Sequence, residues 1–513
     1  MTQSSEHTLG DQDDAASRVA SGIAGLDTIL SGGFLAGGIY IVQGQPGAGK
    51  TIFGNQLCFN HARAGGRALY VTLLAENHSR MLMHIGGLSF YAEELVPERV
   101  YYVSAFPQLE RNGIRGLIDL IRREVRARDV NLLVLDGLVA AEDSAGSDLA
   151  IKKFIHELQA QAAVQGCTMF LLTSSGATFV TPEHTMVDGV IALESRLYGW
   201  RAERDLQIVK RRGGGFLRGR HAYRITDDGI RVFPRIESLY ADPERSETIA
   251  SEPLASGIPE LDGMIGGGLP QQSTTLLIGP PGCGKTTFGL QFLSESNARQ
   301  PGLLLSFHES VEALKVKAES LGLRFVTALG DGHAEVIWQS AAEGPVDELC
   351  QQLLDAVQRR GVRRLYIDGY DGFQKRATDR ERVPNIFGAL SGELRARGVT
   401  SIWTMQSDSL IGGQGTLPLA GLQLPDAFSM AENLIAMRFV ERGVDLYRMI
   451  SVIKVREHRI HSRMRCFEIG EGGIVIDPGS ARAASILERA PGSSASHDMT
   501  DGGSSPEPER QGG

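Results

Sequence analysis

Gly44-Gln45-Pro46-Gly47-Ala48-Gly49-Lys50-Thr51 has the pattern G-x-x-x-x-G-K-[ST], and the pattern returns as Gly279-Pro280-Pro281-Gly282-Cys283-Gly284-Lys285-Thr286. A segment of this kind wraps phosphate. Successive backbone N–H groups face the anion, and glycines take dihedrals that a side chain forbids. The lysine reaches the terminal phosphates and the threonine hydroxyl binds Mg²⁺. Apolar runs at Gly38–Val42 and Thr274–Ile278 precede the loops and read as strands, while Ile52–Ala62 and the stretch from Thr287 read as helices. Strand, glycine loop, helix is the arrangement that brings a helix N-terminus to an anion. Both copies are therefore expected to bind ATP with Mg²⁺. The first would use Gly44, Gly47, Gly49, Lys50 and Thr51; the second would use Gly279, Gly282, Gly284, Lys285 and Thr286.

The repetition extends well beyond the loops. Ser21-Gly22-Ile23-Ala24-Gly25-Leu26-Asp27 recurs as Ser256-Gly257-Ile258-Pro259-Glu260-Leu261-Asp262, 235 residues on, the same offset that separates Lys50 from Lys285. A period this long marks a duplicated domain rather than a short solenoid repeat. Each half continues alike, with strands at Arg67–Thr72 and Gly302–Phe307, at Asn131–Asp136 and Arg364–Asp368, and at Thr168–Thr173 and Thr400–Met405. Amphipathic helices fall between them, at Ser79–Leu88 and Val311–Leu321, and at Asp148–Gln165 and Asn385–Arg397. Alternating strands and helices predict α/β domains with mostly parallel sheets covered on both faces. Each half then closes in a β-rich meander. The expected boundaries are a disordered tail at 1–18, a first domain at 19–236, a linker at 237–253, a second domain at 254–483 and a disordered tail at 484–513.

The 513 residues are 42% apolar and 22% charged, with a formal net charge of −9. That is ordinary globular composition, and the acidic balance speaks against a constitutive nucleic-acid binder. The five cysteines, Cys58, Cys167, Cys283, Cys350 and Cys466, form no C-x-x-C pair, which excludes a disulfide framework or a zinc site and fits reduced thiols. Cys283, inside the second loop, is expected to be alkylation-sensitive. The N-terminus lacks the apolar core of a signal peptide and no apolar run has membrane length. A cytoplasmic protein without a membrane segment is the expectation.

Chemistry needs more than the loops. An aspartate ending an apolar strand is the second metal element of such NTPases, and Asp136 and Asp368 fit, with Thr51 and Thr286 as the other metal-binding side chains. A group that orients the attacking water is commonly a carboxylate; Glu309, beside His308, is the candidate in the second half and Glu76 in the first. Lys210 and Arg212 recur as Lys454 and Arg456 at the ends of late strands. In a ring, such cations can reach the nucleotide of the next subunit, although an exposed basic edge strand is the plain reading. The Arg/Gly-rich loop 211–220 can be read as a pore lining, a contact for nucleic acid or an acidic partner, or a solvated hairpin.

From about Val19 to Pro478 the chain resembles the KaiC family, the double-domain RecA-like ATPases. The resemblance rests on the paired opening segments, the two phosphate loops, the strand-end aspartates, the K-x-R-G stretch at Lys210–Gly213 and the closing run Tyr223–Ile230. It implies two tandem RecA-like P-loop NTPase domains and an ATP-dependent homo-hexamer of stacked rings with nucleotides between subunits. It also implies slow ATP hydrolysis, Ser/Thr autokinase activity in the second ring, and a KaiB-like or histidine-kinase signalling partner. Two departures stand out. The adjacent glutamates of the clock proteins are reduced to Glu309 after His308 and to Leu74-Ala75-Glu76. Of their neighbouring phosphoacceptors only Ser429 remains, with Phe428 beside it. The reading is a KaiC-like ATPase ring with a regulatory role. The alternatives are a RecA/RadA-type recombinase or helicase on single-stranded DNA, and a nucleotide-gated scaffold with little turnover.

Overall fold

The polarity of two nine-stranded sheets decides where everything else in the molecule lies. The computed structural model describes residues 17–73, 78–174, 185–241, 252–407, 427–456 and 463–487. A short ribbon of β1 (Arg18–Val19) and β2 (Phe34–Leu35) opens the chain. The first sheet contains β3 (Ile39–Gly44), β4 (Ala68–Thr72), β5 (Val100–Ser104), β6 (Leu132–Asp136), β7 (Thr168–Thr173), β8 (Gly189–Tyr198), β9 (Arg201–Arg211), β10 (Arg220–Thr226) and β11 (Gly229–Phe233). The second contains β12 (Thr274–Gly279), β13 (Gly302–Ser306), β14 (Ala334–Trp338), β15 (Arg364–Asp368), β16 (Thr400–Gln406), β17 (Asn433–Arg442), β18 (Asp445–Lys454), β19 (Arg465–Gly470) and β20 (Gly473–Ile476).

In space the orders are β11-β10-β9-β8-β3-β7-β6-β4-β5 and β14-β13-β15-β16-β12-β17-β18-β19-β20, the same succession of equivalent strands read from opposite ends. The strands from β3 to β8 pair parallel, and β9 to β11 return antiparallel. The two domains are thus tandem α/β units of RecA-like plan. Every residue of β3, β4, β6 and β7 is buried. That is why these strands read as continuous apolar runs and not as alternating ones. One face of the first sheet packs Phe53, Leu57 and Phe59 of the helix Lys50–Arg63 against Tyr40 and Val42. The other packs Phe154 and Leu158 of the helix Asp148–Gln165 against Ile39 and Ile41.

The expected linker 237–253 does not begin as a free segment. Ile236–Leu239 is a short helix, and Ile236 is buried in an apolar cluster of the second domain. Its N–H donates to Asp347 Oδ1 at 3.2 Å. The Arg382 guanidinium then bridges Glu237, at 2.8 and 3.1 Å, and Asp347, at 3.0 and 3.1 Å. Burial alone would raise the Glu237 carboxyl, but hydrogen bonds and charge from Arg382 hold it below its ordinary value. The basic loop also differs from its open reading. Arg211 donates to the carbonyls of Gly33 and Gly215, Arg18 donates to Gly213 O, and Phe216 and Leu217 pack on the first domain's core. The loop is tied to its own domain, and Arg211 is taken up by backbone acceptors.

Arg382 is the one cation bound to both carboxylates of this joint, buried Asp347 and half-buried Glu237, among the described residues. Arg382→Met leaves them without it, a loss of about 3–5 kcal/mol by the cost of breaking a buried ion pair. Thermal denaturation followed by circular dichroism should show a midpoint several degrees lower, and an unchanged midpoint would mean that the network does not join the domains.

Candidate functional site

Both phosphate loops sit where a parallel strand ends and a helix begins. Gly49 and Gly284, the residues before the helices Lys50–Arg63 and Lys285–Ser294, have φ of 93° and 110°, and neither helix has a side-chain cap. The helices Asp148–Gln165 and Val311–Ser320 are capped by Ser147 and Ser310. At the loops the first N–H groups of the helix stay available to an anion. Glycine is demanded there twice over, by the left-handed backbone and by a neighbour. A Cβ on Gly49 would lie 2.6 Å from Ile225 Cδ1, and one on Gly284 would lie 2.6 Å from Ile469 Cδ1.

The lysines lie along their loops. Lys50 Nζ donates to Gly44 O at 2.6 Å and Gln45 O at 3.1 Å; Lys285 Nζ donates to Gly279 O at 2.7 Å and Pro280 O at 2.8 Å. Burial lowers the Lys50 pKa, and the Asp136 charge opposes that shift. Thr51 Oγ1 donates to Asp136 Oδ2 at 3.2 Å, and Thr286 Oγ1 donates to Asp368 Oδ2 at 2.9 Å. Tyr70 OH also donates to Asp136, at 2.7 Å, and Thr404 Oγ1 to Asp368, at 3.1 Å. Burial raises the Asp368 carboxyl, and the hydroxyls of Thr286 and Thr404 pull it back. Each hydroxyl–carboxylate pair is a hard-oxygen donor set that fits Mg²⁺ shared with phosphate oxygens. Among the described residues no cluster of three His, Cys, Asp or Glu side chains could hold a metal alone.

The first loop opens on a cavity of about 910 Å³ lined by Lys50, Thr51, Asp136, Asp143, Arg204 and Ile225 among others. Two of its supports lie in the run Tyr223–Ile230, which the sequence marked by resemblance but not as part of the loop's surroundings. Tyr223 OH donates to Ala48 O at 2.6 Å, and Ile225 covers Gly49, both from β10 and some 175 residues distant in the chain. Cys283 is fully buried and its thiol is pushed up by burial, so the expected alkylation sensitivity is not supported by its surroundings.

The remaining candidates divide between two edges of the sheets. Gly44, Asp136, Gly279 and Asp368 end parallel strands, at the carboxyl edge. Glu309 follows β13 at that same edge. Its N–H and C=O bond Ser306 Oγ, and both its carboxylate oxygens accept from Lys317 Nζ, one at 2.6 Å. His308 faces Asp371 at 3.4 Å. The basic pairs lie at the opposite, amino edge. Lys210 and Arg212 both donate to Thr185 O, which precedes β8, at 2.9 and 3.0 Å. Lys454 donates to Ala431 O at 2.7 Å, and Arg456 approaches Glu432 at 3.9 Å, both just before β17. Ser429, exposed in the helix Ala427–Met430, is on that edge too. A strand such as β12 separates the edges by five residue steps, roughly 17 Å at ~3.3 Å per residue. Within one chain, then, neither basic pair reaches its own phosphate loop, and Ser429 and Glu309 stand apart. Glu76 lies outside the described residues.

Comparison with known proteins gives one family. The model for the KaiC ATPase matches residues 19–237 and again 254–481. The circadian clock oscillator protein KaiC of Picosynechococcus sp. (strain ATCC 27264 / PCC 7002 / PR-6) is 23% identical over 485 residues, covering 91% of both chains. That of Synechococcus elongatus (strain ATCC 33912 / PCC 7942 / FACHB-805) is 22% identical over 492 residues, covering 93% of this chain and 92% of its own.

Lys50→Ala and Lys285→Ala each remove the cation lying along one loop. Charge-assisted contacts of this kind contribute about 1.5–3 kcal/mol, so affinity at the altered loop should fall about 10- to 100-fold. Equilibrium binding of labelled ATP at limiting concentration should then give one nucleotide fewer per chain in each variant. Unchanged stoichiometry in both would contradict the assignment of the loops.

Proposed function

The chain belongs to the KaiC ATPase family, and from that premise we propose that it works as an ATP-driven regulatory ring, a homo-hexamer whose nucleotides lie between subunits. The observation that carries this reading is the division of edges, repeated in both domains. A cation roughly 17 Å from its own phosphate loop has a use in phosphate chemistry only if the amino edge of one subunit meets the carboxyl edge of the next. Head-to-tail contacts of that kind close into rings.

In this arrangement the loop N–H groups and Lys50 or Lys285 hold the phosphates. Thr51 with Asp136, and Thr286 with Asp368, would hold Mg²⁺, which supplies charge neutralisation between the β- and γ-phosphates. Lys210 and Arg212, or Lys454 and Arg456, approach the neighbour's γ-phosphate and stabilise charge in the transition state. Glu309, and Glu76 in the first domain, orient the water that attacks phosphorus. Ser429 shares its edge with Lys454 and Arg456, so it would accept a phosphoryl group from the nucleotide of the neighbouring subunit. With Phe428 in place of a second hydroxyl, such modification is single-site and secondary to hydrolysis. The named relatives are clock oscillator proteins, and a timing or signalling output through a KaiB-like protein or a histidine kinase is the expected use in a cytoplasmic setting.

One observation favours a slower variant of the same reading, a nucleotide-gated scaffold. Both oxygens of Glu309 rest on Lys317, and a carboxylate so engaged orients water poorly until the pair opens. Because the pair is partly solvated it is worth little, ~0–1 kcal/mol, and its release on nucleotide binding is cheap.

Sedimentation velocity with a non-hydrolysable ATP analogue should show a hexamer; a strict monomer under saturating nucleotide would end this reading. Arg456→Ala should cut phosphate release at the second domain at least tenfold while its own nucleotide binding stays within twofold. Mixing it with Lys285→Ala subunits should restore activity, since an intact loop then faces an intact arginine. Mass spectrometry after incubation with ATP should find phosphate at Ser429 and at no adjacent residue.

A further inference from the structure

A second cavity, of about 560 Å³, lies between the two domains. Its walls come from β9 and β10 of the first domain and from β14, the following loop and the helices Val346–Arg360 and Tyr370–Arg376 of the second. Four arginines line it, Arg201, Arg204, Arg224 and Arg376. Two of them are matched. Arg201 pairs with Glu203, and Arg224 sets Nη1 3.1 and 3.3 Å from the two oxygens of Glu348. Arg376 is only 5% exposed, yet its hydrogen bonds go to neutral acceptors, Ser340 O at 2.9 Å and Gln339 Oε1 at 3.0 Å. Arg204 has a buried Nε with no hydrogen-bond partner. The arginine at the corresponding place in the second domain, Arg448, also six residues before the recurring lysine, lies over the Phe439 ring at 5.6 Å; Arg204 faces Ser195 instead. Gly344, at φ 86°, keeps the wall open, since a Cβ there would lie 3.2 Å from Glu348 Oε2 and 3.7 Å from Arg376 Nη1.

Among the described residues neither Arg204 nor Arg376 forms an ion pair, although Glu203, Glu343 and Glu348 also line the cavity, and two such guanidiniums in a cavity of ligand size ask for an anion. Guanidinium binds phosphate and carboxylate through parallel hydrogen bonds, and a partly desolvated site strengthens them. Burial lowers the Arg376 pKa; Glu348 opposes that, and the like charges of Arg201 and Arg224 add to it. We propose that the cavity between the domains is a further ligand site, separate from both phosphate loops, for a small polyanion carrying at least two phosphate or carboxylate groups. Arg204 and Ile225 also line the nucleotide cavity of the first domain, so the new site shares a wall with that pocket.

The test is equilibrium dialysis of the full chain, saturated with a non-hydrolysable ATP analogue and Mg²⁺ so that the phosphate loops are filled. Radiolabelled pyrophosphate and radiolabelled citrate serve as probes in separate arms. The expected result is saturable binding of one probe per chain in at least one arm, weakened tenfold or more by Arg376→Gln and by Arg204→Gln. Binding confined to the pyrophosphate arm assigns a phosphorylated ligand, and binding confined to the citrate arm a carboxylated one. No saturable binding in either arm, or binding equally strong in both variants, overturns the proposal. Should Arg376→Gln fail to fold by circular dichroism, Arg204→Gln decides alone. Labelled nucleotide counted in the same dialysis separates a failure of this site from a failure of the phosphate loops.

Discussion

All the parallel strands of a sheet end on the same side, and that polarity governs this protein. A phosphate loop must follow a strand and open a helix, so it can lie only at the carboxyl edge. The aspartate proposed to bind metal faces the loop threonine from the end of another parallel strand; Asp136 and Asp368 do so one strand beyond β7 and β16. The antiparallel return of β9 and β18 then carries the last residues of each strand back to the amino edge, with Lys210 and Lys454 on it. Separation of loop and basic pair is therefore not an accident of side-chain placement. It follows from one change of strand direction, made once in each domain.

The same antiparallel meander supports the loops. Ile225 and Ile469, from β10 and β19, occupy the space that a side chain on Gly49 or Gly284 would need. The isoleucine far along the chain thus fills space that only a glycine in the loop leaves free. Tyr223 adds a hydrogen bond to Ala48 O, and Tyr366 OH donates to Lys285 O. In each domain a buried phenol reaches a backbone carbonyl of the loop or the first turn, by different routes, and fixes where the N–H groups point.

Which of these features could be read in the sequence follows from how local their signals are. The loops, the strand-end aspartates and the parallel strands are contiguous stretches of defined composition, and the duplication doubled each signal. Strand β3 was legible because a strand buried on both faces must be apolar throughout. The joint was not. Glu237 and Arg382 are 145 residues apart, and neither sits in a recognisable pattern. The basic loop 211–220 left a binding surface and a solvated hairpin equally open because charge is visible in sequence while its acceptors, the carbonyls of Gly33 and Gly215, are not. The carboxylate of Glu309 was legible as a candidate, but its engagement by Lys317 across one helical stretch was not.

Equal folds in unequal surroundings give the two nucleotide sites different prospects. In the first domain the β8–β9 hairpin runs past the phosphate loop and meets the second domain, where Arg201 donates to the carbonyls of Lys375 and Arg376 at 3.0 and 3.1 Å. In the second domain the matching β17–β18 hairpin ends in solvent, with Val444 and Leu446 exposed. Coupling between sites needs differential contacts in at least two states, and among the described residues Arg204 and Ile225 line both the first domain's pocket and the cavity between the domains. Arg204 lines both that pocket and the space in front of Arg376, so any displacement of it in one would be felt in the other. Arg448, lying over Phe439 within its own hairpin, has no such neighbour among the described residues. Duplication supplied two copies of one site, and the contact of the first domain's hairpin with the second domain makes their surroundings unequal.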